Sequence, residues 1–381
     1  MRHITSIYNV IKTDEFIDLM KRLLTVLVLL YLFLIGVKCL SSGLKMLGSD
    51  FANTLFDLTG QPFVALMAGM LATVLFQSSS VTTSIIVGLV SAGTLSINGA
   101  VPMIMGANLG TSVTNTLVSL GYMKDTNNFK KAFAAATVHD FFNILSVAIL
   151  LPLEIMFGFI EKSAVFLSSI IYGSFTGVKY TSPIKAMIKP PVKALKSFST
   201  ETFGADAGSV VMIILAGIII IFSLGFIVKT MKVLIERHKG EVINKLLTKN
   251  AYGSILVGAL LTLSVQSSSI TTSLLIPMAG SGLLTMQAIY PITIGANIGT
   301  TATALLAALT GNIAGLSIAL VHLLFNIAGT LIFFPIQSMR NIPIKCAEVL
   351  AESIEKTKLI GFGYIGAVFF ALPISMIYIA S

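Results

Sequence analysis

The residues QSSSVTTS at 77–84 return almost unchanged as QSSSITTS at 266–273. A second motif follows each copy, GANLGT at 106–111 and GANIGT at 295–300. Both motifs recur after the same 189 residues, which is the pattern of an internal repeat rather than of chance. The repeat decides the fold, because any architecture for this chain must contain the same unit twice.

The repeat extends beyond these two motifs. Pro102 and Pro291 keep the same spacing, so about fifty residues recur without a gap. Further on, VHDFFN at 138–143 matches VHLLFN at 321–326 after 183 residues, since the second copy has a shorter loop. Each copy is therefore about 130 residues long.

The composition is that of a membrane protein. Of the 381 residues, 55% are hydrophobic and 11% are charged, against about a quarter charged in a soluble domain. Continuous apolar runs at 23–37, 210–228 and 359–380 approach or reach the about 20 residues that a helix needs to cross a bilayer. These runs exclude a soluble fold, and they exclude an outer-membrane barrel, whose strands alternate apolar and polar residues.

The net charge of +9 is explained by topology rather than by nucleic acid. The basic residues lie in short segments between apolar runs, among them Lys21, Arg22 and the connection 229–249. Short basic loops stay in the cytoplasm, although the basic stretch 179–196 does not fit that count. We predict a multi-pass protein of the cytoplasmic (inner) membrane that contacts the lipid bilayer and no nucleic acid.

Each copy predicts the same order of helices. A leading helix (22–47 or 209–235) precedes an apolar stretch interrupted by QSSS (62–95 or 252–283), and helices carrying GAN-x-GT and VH follow. The interrupted stretch is too long for one helix and too short for two crossings, which indicates a re-entrant helical hairpin with QSSS at its tip. If 163–177 does not span, three crossings separate the hairpins and the two repeats have inverted topology.

The predicted fold class is an all-α polytopic membrane protein with two inverted-topology repeats, each with this hairpin and a broken helix carrying GAN-x-GT. The predicted segments are a cytoplasmic N-terminal segment 1–21, transport repeat one 22–160, a linker 161–208 with room for an interfacial helix, transport repeat two 209–338, and a charged loop with a terminal transmembrane helix 339–381.

The chemistry of the repeated region is polar without formal charge. Residues 60–121 and 250–339 contain no Asp, Glu, Lys or Arg, whereas each hairpin tip is rich in hydroxyls and amides. A helix that begins at the tip supplies free N–H groups and a positive dipole end, which bind an anion. The glycines around Asn108 and Asn297 predict a helix unwound there, with carbonyls available to a hard cation. Because a buried anion without a fixed positive partner is costly, cations are expected to bind with it.

Five polar residues of the VH helices add candidates. Asp140 is an acid inside a predicted span, and its counterpart in the second copy is a leucine; it is either a cation ligand or a structural hydrogen-bond partner. His139 and His322 occur in both copies and are interpreted as helix-packing hydrogen bonds rather than metal ligands. Asn143 and Asn326, one turn later, are candidates for hydrogen bonds between helices.

QSSS twice, GAN-x-GT twice and FKKAFAAATVHDFFN at 129–143 together resemble the type II sodium–phosphate cotransporters. The resemblance covers 20–120, 129–160 and 209–335. It implies phosphate binding at the two tips, by Gln77, Ser78, Ser79, Ser80, Gln266, Ser267, Ser268 and Ser269. It implies sodium binding by a neighbouring set consisting of Gln77, Thr83, Asn108, Thr111, Asp125, Asp140, Gln266, Thr271, Asn297, Thr300 and Thr301.

The resemblance also bears on charge movement. Electrogenic members of the family have an Asp shortly before the run of Phe, two basic residues and Ala-Phe, and here that position is Asp125. This implies three sodium ions per divalent phosphate and an electrogenic cycle. The alternative is that Asp125 is an ordinary loop residue beside Lys124.

The function predicted is sodium-coupled symport of inorganic phosphate by alternating access, with sodium as co-substrate and no other cofactor. A sodium-coupled carrier of another oxyanion or of a carboxylate is the nearest alternative, and a channel or a non-transporting scaffold is the alternative from another class. An enzyme is not expected, because the spans contain no nucleophile–base pair or metal cluster. The sequence leaves a homodimer open.

Overall fold

The computed structural model describes residues 2–48, 53, 57, 59–173, 183–237 and 250–380. Within these residues every regular element is a helix, which confirms the predicted all-α class. The end of the basic connection 229–249 and part of the linker 161–208 lie outside the described residues.

The first copy contains six helices: α1 (Arg2–Met46), α2 (Pro62–Phe76), α3 (Ser79–Ala92), α4 (Ile97–Thr111), α5 (Val113–Ser119) and α6 (Thr126–Phe157). Two helices follow it, α7 (Phe159–Gly173) and α8 (Pro183–Phe203). The second copy contains α9 (Ala205–Arg237), α10 (Ala251–Val265), α11 (Ser268–Ser273), α12 (Leu275–Gly280), α13 (Met286–Ala308) and α14 (Ile313–Phe333). The chain continues with α15 (Gln337–Lys356), α16 (Leu359–Gly366), a π-helical turn (Ala367–Ala371) and α17 (Leu372–Ala380).

Five helical segments in the described residues are long and apolar enough to cross a membrane: Ile17–Met46, Thr126–Phe157, Ala205–Thr230, Ile313–Phe333 and Leu359–Ile379. The helices α2, α3 and α10 are apolar but shorter, with 15, 14 and 15 residues. At 1.5 Å per residue each is about 22 Å long, less than the ~30 Å hydrocarbon core. Their lengths fit arms that end within a membrane.

Both QSSS motifs lie where one helix ends and the next begins. Gln77 and Gln266 adopt left-handed backbone conformations, with φ of 52° and 56°, and they are the non-glycine residues with positive φ in the described chain. Such a conformation is uncommon for a residue with a side chain, and it ends the preceding helix. The turn of each hairpin is therefore at the motif itself.

The predicted unwinding at GAN-x-GT is wrong. Asn108 lies inside α4, which breaks only after the motif, at Ser112, and Asn297 lies inside the continuous helix α13. The glycines serve close packing instead: a Cβ on Gly106 would overlap the carbonyl oxygen of Leu66 in α2, and one on Gly295 would overlap that of Ile255 in α10. Small residues at such positions let two backbones touch.

The predicted charged loop after residue 339 is also wrong, because α15 is a helix over Gln337–Lys356. Ile344, Ala347, Ala351 and Ile354 recur at helical spacing and are buried, and α15 packs on α6. These four residues form an apolar stripe that packs against the core, although the residues between them are largely charged or polar. In the linker, α7 has 15 residues and is not one of the candidate spans, while 174–177 lie outside the described residues.

The two copies exchange their hairpins. Helix α3 of the first copy packs against α13 and α14 of the second, and α11 and α12 of the second copy pack against α5 and α6 of the first. The leading helices α1 and α9 pack on each other, with Gly36 facing Ile220 and Gly43 facing Ile213. This arrangement places both QSSS tips between the two copies.

Candidate anion and cation site between the repeats

Each tip is built by capping. The Ser78 hydroxyl accepts from the backbone N–H of Val81 at 3.3 Å, and the Ser267 hydroxyl accepts from that of Ile270 at 3.4 Å. These serines are the N-caps of α3 and α11, so the next two serines of each motif occupy the first turn of a helix. The first-turn N–H groups have no partner within a helix and carry the positive end of its dipole. Both tips can therefore receive an anion.

The two glutamines are held in the same way. Gln77 Nε2 donates to the Val74 carbonyl and Gln266 Nε2 to the Leu263 carbonyl, each at 2.6 Å. Each bond joins the glutamine amide to the last turn of the preceding helix. With the nitrogen used in this way, the Oε1 atom of each glutamine faces other groups.

The Oε1 atom of each glutamine accepts a hydrogen bond from a threonine that was not predicted as a site residue. Thr114 donates to Gln77 Oε1 at 3.1 Å, and Thr303 donates to Gln266 Oε1 at 2.8 Å. The two threonines are themselves 189 residues apart. Each lies six residues after the asparagine of a GAN-x-GT motif, so extending the repeat that far would have found both.

The two tips meet at Ser80. Its hydroxyl donates to the backbone carbonyl of Gln266 at 3.2 Å, and the Thr303 hydroxyl lies 3.4 Å from the Ser80 oxygen. Ser80 is 4% exposed and Gln266 is half-buried, so the contact lies at the edge of the packed interior. The structure thus brings together motifs that are 189 residues apart in the chain.

The other predicted anion ligands surround this contact. Ser79 and Ser268 are buried, whereas Ser78, Ser267 and Ser269 are half-buried. No charged side chain occurs in α2–α5 or α10–α14, so the groups that could hold an anion here are hydroxyls, amides and helix N-termini.

A buried network of histidine and asparagine joins the centres of the two copies. His139 Nε2 lies 2.6 Å from Asn297 Oδ1, and His322 Nε2 lies 3.3 Å from Asn108 Oδ1. This confirms the prediction that both histidines make hydrogen bonds between helices, and each bond crosses from one repeat to the other.

The paired asparagines belong to the same network. Asn143 Nδ2 donates to the Asn108 carbonyl at 2.9 Å, and Asn326 Nδ2 donates to the Asn297 carbonyl at 3.3 Å. The interpretation as hydrogen bonds between helices is confirmed. The same bonds occupy the carbonyls that unwinding was predicted to release to a cation.

The predicted sodium-binding threonines are all buried. Each hydroxyl donates to a carbonyl of its own helix: Thr83 to Ser80, Thr111 to Ala107, Thr271 to Ser267, Thr300 to Ala296 and Thr301 to Ile298. The Thr271 oxygen also accepts from Thr262 at 2.8 Å. A hydroxyl that donates in this way keeps lone pairs on its oxygen, which suits a cation ligand.

Asp140 is buried beside the break between α4 and α5. Its Oδ2 accepts from the Tyr364 hydroxyl at 3.0 Å and from Thr116 at 3.4 Å. Its Oδ1 is buried and has no hydrogen-bond partner among the described groups. Asp140 therefore makes structural hydrogen bonds through Oδ2, while its Oδ1 is available to a cation.

Asp125 lies apart from these groups. It is the N-cap of α6 and is exposed, and its carboxylate accepts from the backbone N–H groups of Asn127 at 3.0 Å and Asn128 at 3.1 Å. The structure does not bring it into contact with either tip. No group of three or more His, Cys, Asp or Glu side chains that could hold a metal ion occurs in the described part of the chain.

Comparison with known proteins supplies the family. The sequence profile described as Na+/Pi-cotransporter matches residues 32–173 and 219–351, which include both QSSS hairpins. The chain belongs to the Na+/Pi-cotransporter family. Membership in the Na+/Pi-cotransporter family agrees with the duplicated unit, because the profile matches this chain once in each copy.

Curated relatives within the Na+/Pi-cotransporter family are named as transport proteins. Sodium-dependent phosphate transport protein 2A of Rattus norvegicus is 35% identical over 90% of this chain, and protein 2B of Homo sapiens is 32% identical over 93%. The chain spans 65% of the rat protein and 64% of the human one. No solved structure matches the chain.

Proposed function

We propose that this protein is a sodium-coupled symporter of inorganic phosphate. The observation that carries the proposal is the contact of the two QSSS tips at Ser80 and Gln266, in a region whose side chains have no formal charge. The names of the rat and human relatives, which state sodium-dependent phosphate transport, support the same substrates.

The anion would lie between the two tips. The N-termini of α3 and α11 converge on one contact, so their N–H groups and dipoles can act on the same phosphate. The hydroxyls of Ser79, Ser80, Ser268 and Ser269 are the nearest further donors, as first-turn residues of those helices. Hydroxyls and N–H groups that donate to a charged acceptor make short, strong hydrogen bonds.

Sodium would supply the charge that the protein lacks. A phosphate buried among neutral groups is costly to desolvate, and a cation bound close by reduces that cost. Asp140, with its free buried oxygen, and the threonine hydroxyls around Asn108 and Asn297 are the candidate ligands. Phosphate and sodium would therefore bind together rather than separately.

The exchanged hairpins support alternating access. Each tip belongs to one copy but packs against the other, so a relative movement of the copies would open the site on one side and close it on the other. Inverted topology of the two repeats and re-entrant hairpins in the cytoplasmic membrane are parts of this proposal. The short arms α2, α3 and α10 are consistent with tips at membrane depth.

A net charge would cross in each cycle. With three sodium ions per divalent phosphate, one positive charge enters, and about 2.3 kcal/mol becomes available from each 100 mV of inside-negative potential. Asp125 is the residue that the resemblance links to this charge. Its exposed position at the start of α6 places it outside the tip contact, so it would act at a site of its own.

The experiment is uptake of labelled phosphate into proteoliposomes. We expect uptake with a sodium gradient and loss of it when potassium replaces sodium on both sides. Equal uptake in potassium would refute sodium coupling. Excess sulfate, arsenate or succinate is added in parallel, since the hydroxyls and helix dipoles of the tips could also hold another oxyanion or a carboxylate. Stronger inhibition by sulfate or succinate than by unlabelled phosphate would favour a carrier of another oxyanion or of a carboxylate.

A further inference from the structure

Asn115 is a buried amide in α5 whose side chain reaches the opposite copy. Its Nδ2 lies 2.8 Å and its Oδ1 lies 3.0 Å from the Thr272 hydroxyl, and Ser273 donates to the same Oδ1 at 3.1 Å. Thr272 and Ser273 end α11, the short helix that begins at the second QSSS motif. One side chain of the first copy therefore holds the helix that carries the second tip.

The first tip has no equivalent bond. The residue 189 positions after Asn115 is Ala304, an apolar side chain, and the counterparts of Thr272 and Ser273 are Thr83 and Ser84. Thr83 and Ser84 both donate to the Ser80 carbonyl of their own helix, at 3.3 and 2.6 Å. The bond at Asn115 is thus a difference between the two copies and not a consequence of the repeat.

The second hairpin also differs in its backbone. Helix α3 is continuous over Ser79–Ala92, whereas the matching arm divides after Ser273 into α11 and α12. Pro277 accounts for the division, because it lacks the N–H that would bond to the Ser273 carbonyl; its counterpart in α3 is Gly88. Leu274, between α11 and α12, keeps helical torsions, so the second arm differs from α3 by one missing backbone hydrogen bond.

We propose that Asn115 is a positioning residue that fixes the second QSSS tip against the first copy. The second arm has one backbone hydrogen bond fewer after α11, and Asn115 provides polar contacts to both residues at the end of that helix. Without the amide, α11 would lose its register with Ser80 at the tip contact. The proposal rests on the proposed function where it concerns phosphate, and on the structure alone where it concerns the position of α11.

The test combines two measurements on Asn115→Leu, which keeps the branched shape and the number of heavy atoms and removes the polar ones. Hydrogen exchange of the purified full chain should become faster in 268–280 and stay unchanged in 79–92. The KM for phosphate should rise roughly fivefold to thirtyfold, the range that one or two buried hydrogen bonds provide, with kcat within about twofold. Thr272→Val should raise KM similarly, and the double variant should show less than the sum of the two effects.

Ser317→Ala is the control, because it removes a buried 2.7 Å hydrogen bond between Ser317 and Ser168, on α14 and α7, without touching a tip. Its KM and its exchange in 268–280 should match those of the parent protein. Unchanged exchange in 268–280 of Asn115→Leu, or faster exchange there with an unchanged KM, would overturn the positioning role. If the parent protein shows no sodium-dependent phosphate uptake, faster exchange in Asn115→Leu would still support the positioning of α11, and the proposed function would be refuted.

Discussion

Replacing Ser80 by alanine tests the tip contact directly. The substitution removes one hydroxyl, which donates to the Gln266 carbonyl at 3.2 Å and lies 3.4 Å from the Thr303 hydroxyl. It leaves the backbone N–H groups of α3 in place, and alanine is at least as good a helix former as serine. The variant should therefore fold, with α3 intact.

The size of the effect follows from the change in partner. A neutral hydrogen bond such as that from Ser80 to Gln266 contributes about 1 kcal/mol to the folded state. A hydroxyl that donates to a bound phosphate makes a charge-assisted bond, worth about 1.5–3 kcal/mol. Phosphate binding loses the difference between these two bonds, about 0.5–2 kcal/mol, and at 1.4 kcal/mol for each factor of ten the KM for phosphate should rise roughly twofold to thirtyfold.

Ser84→Ala is the matched control for this measurement. Ser84 is also buried in α3, one turn further along, but its hydroxyl donates to the Ser80 carbonyl of the same helix at 2.6 Å. Sodium-driven phosphate uptake in proteoliposomes gives KM for both variants at saturating sodium. A KM for Ser80→Ala no higher than the Ser84→Ala value would refute the assignment of Ser80 to the substrate.

Three further predictions concern cations, charge and packing. Asp140→Asn should raise the half-saturating sodium concentration about tenfold or more, because a nearby unit charge is lost, and sodium titrations of phosphate uptake check this. Both Asp125→Gly and Asp125→Asn should abolish phosphate-induced current while uptake persists, since either residue still caps α6; retained current would make Asp125 a structural cap only. Gly295→Ala should destabilise the purified protein by about 1–3 kcal/mol, because its Cβ overlaps a backbone carbonyl, whereas Gly217→Ala, with open space around it, should not lower Tm.

Local features of the tips could be predicted from the sequence. The QSSS motif supplies a serine N-cap, and a polar cluster within an apolar stretch predicts a change of direction at that point. The repeat then requires the same turn at Gln77 and Gln266, which is where the structure has it. The hydrogen bonds of His139 and His322 could also be predicted, because polar side chains inside apolar helices bond to neighbouring helices.

The glycines show where the sequence was ambiguous. A glycine pair inside an apolar helix is equally compatible with unwinding and with close packing, and the choice depends on what lies opposite. Here the backbone carbonyls of Leu66 and Ile255 lie there, so Gly106 and Gly295 serve packing. That neighbour is set by the tertiary fold and cannot be derived from the spacing of the glycines.

Contacts between distant parts of the chain could not be derived from local sequence. Asn115 meets Thr272 across 157 residues of chain, and Tyr364 meets Asp140 across 224. Asn115 and Tyr364 lie outside the repeated motifs, and Tyr364 lies outside both repeats. The first contact depends on the exchange of hairpins between the copies, and the second on the packing of the C-terminal helix, so both are properties of the tertiary fold.

Equilibrium binding of labelled phosphate to the purified protein, at a series of sodium concentrations and without any gradient, tests the central claim most directly. If the tips hold phosphate without a fixed positive side chain and sodium supplies the charge, the Kd for phosphate should fall steeply as sodium rises and be very weak in potassium. A phosphate Kd that is the same in sodium and in potassium would contradict the account.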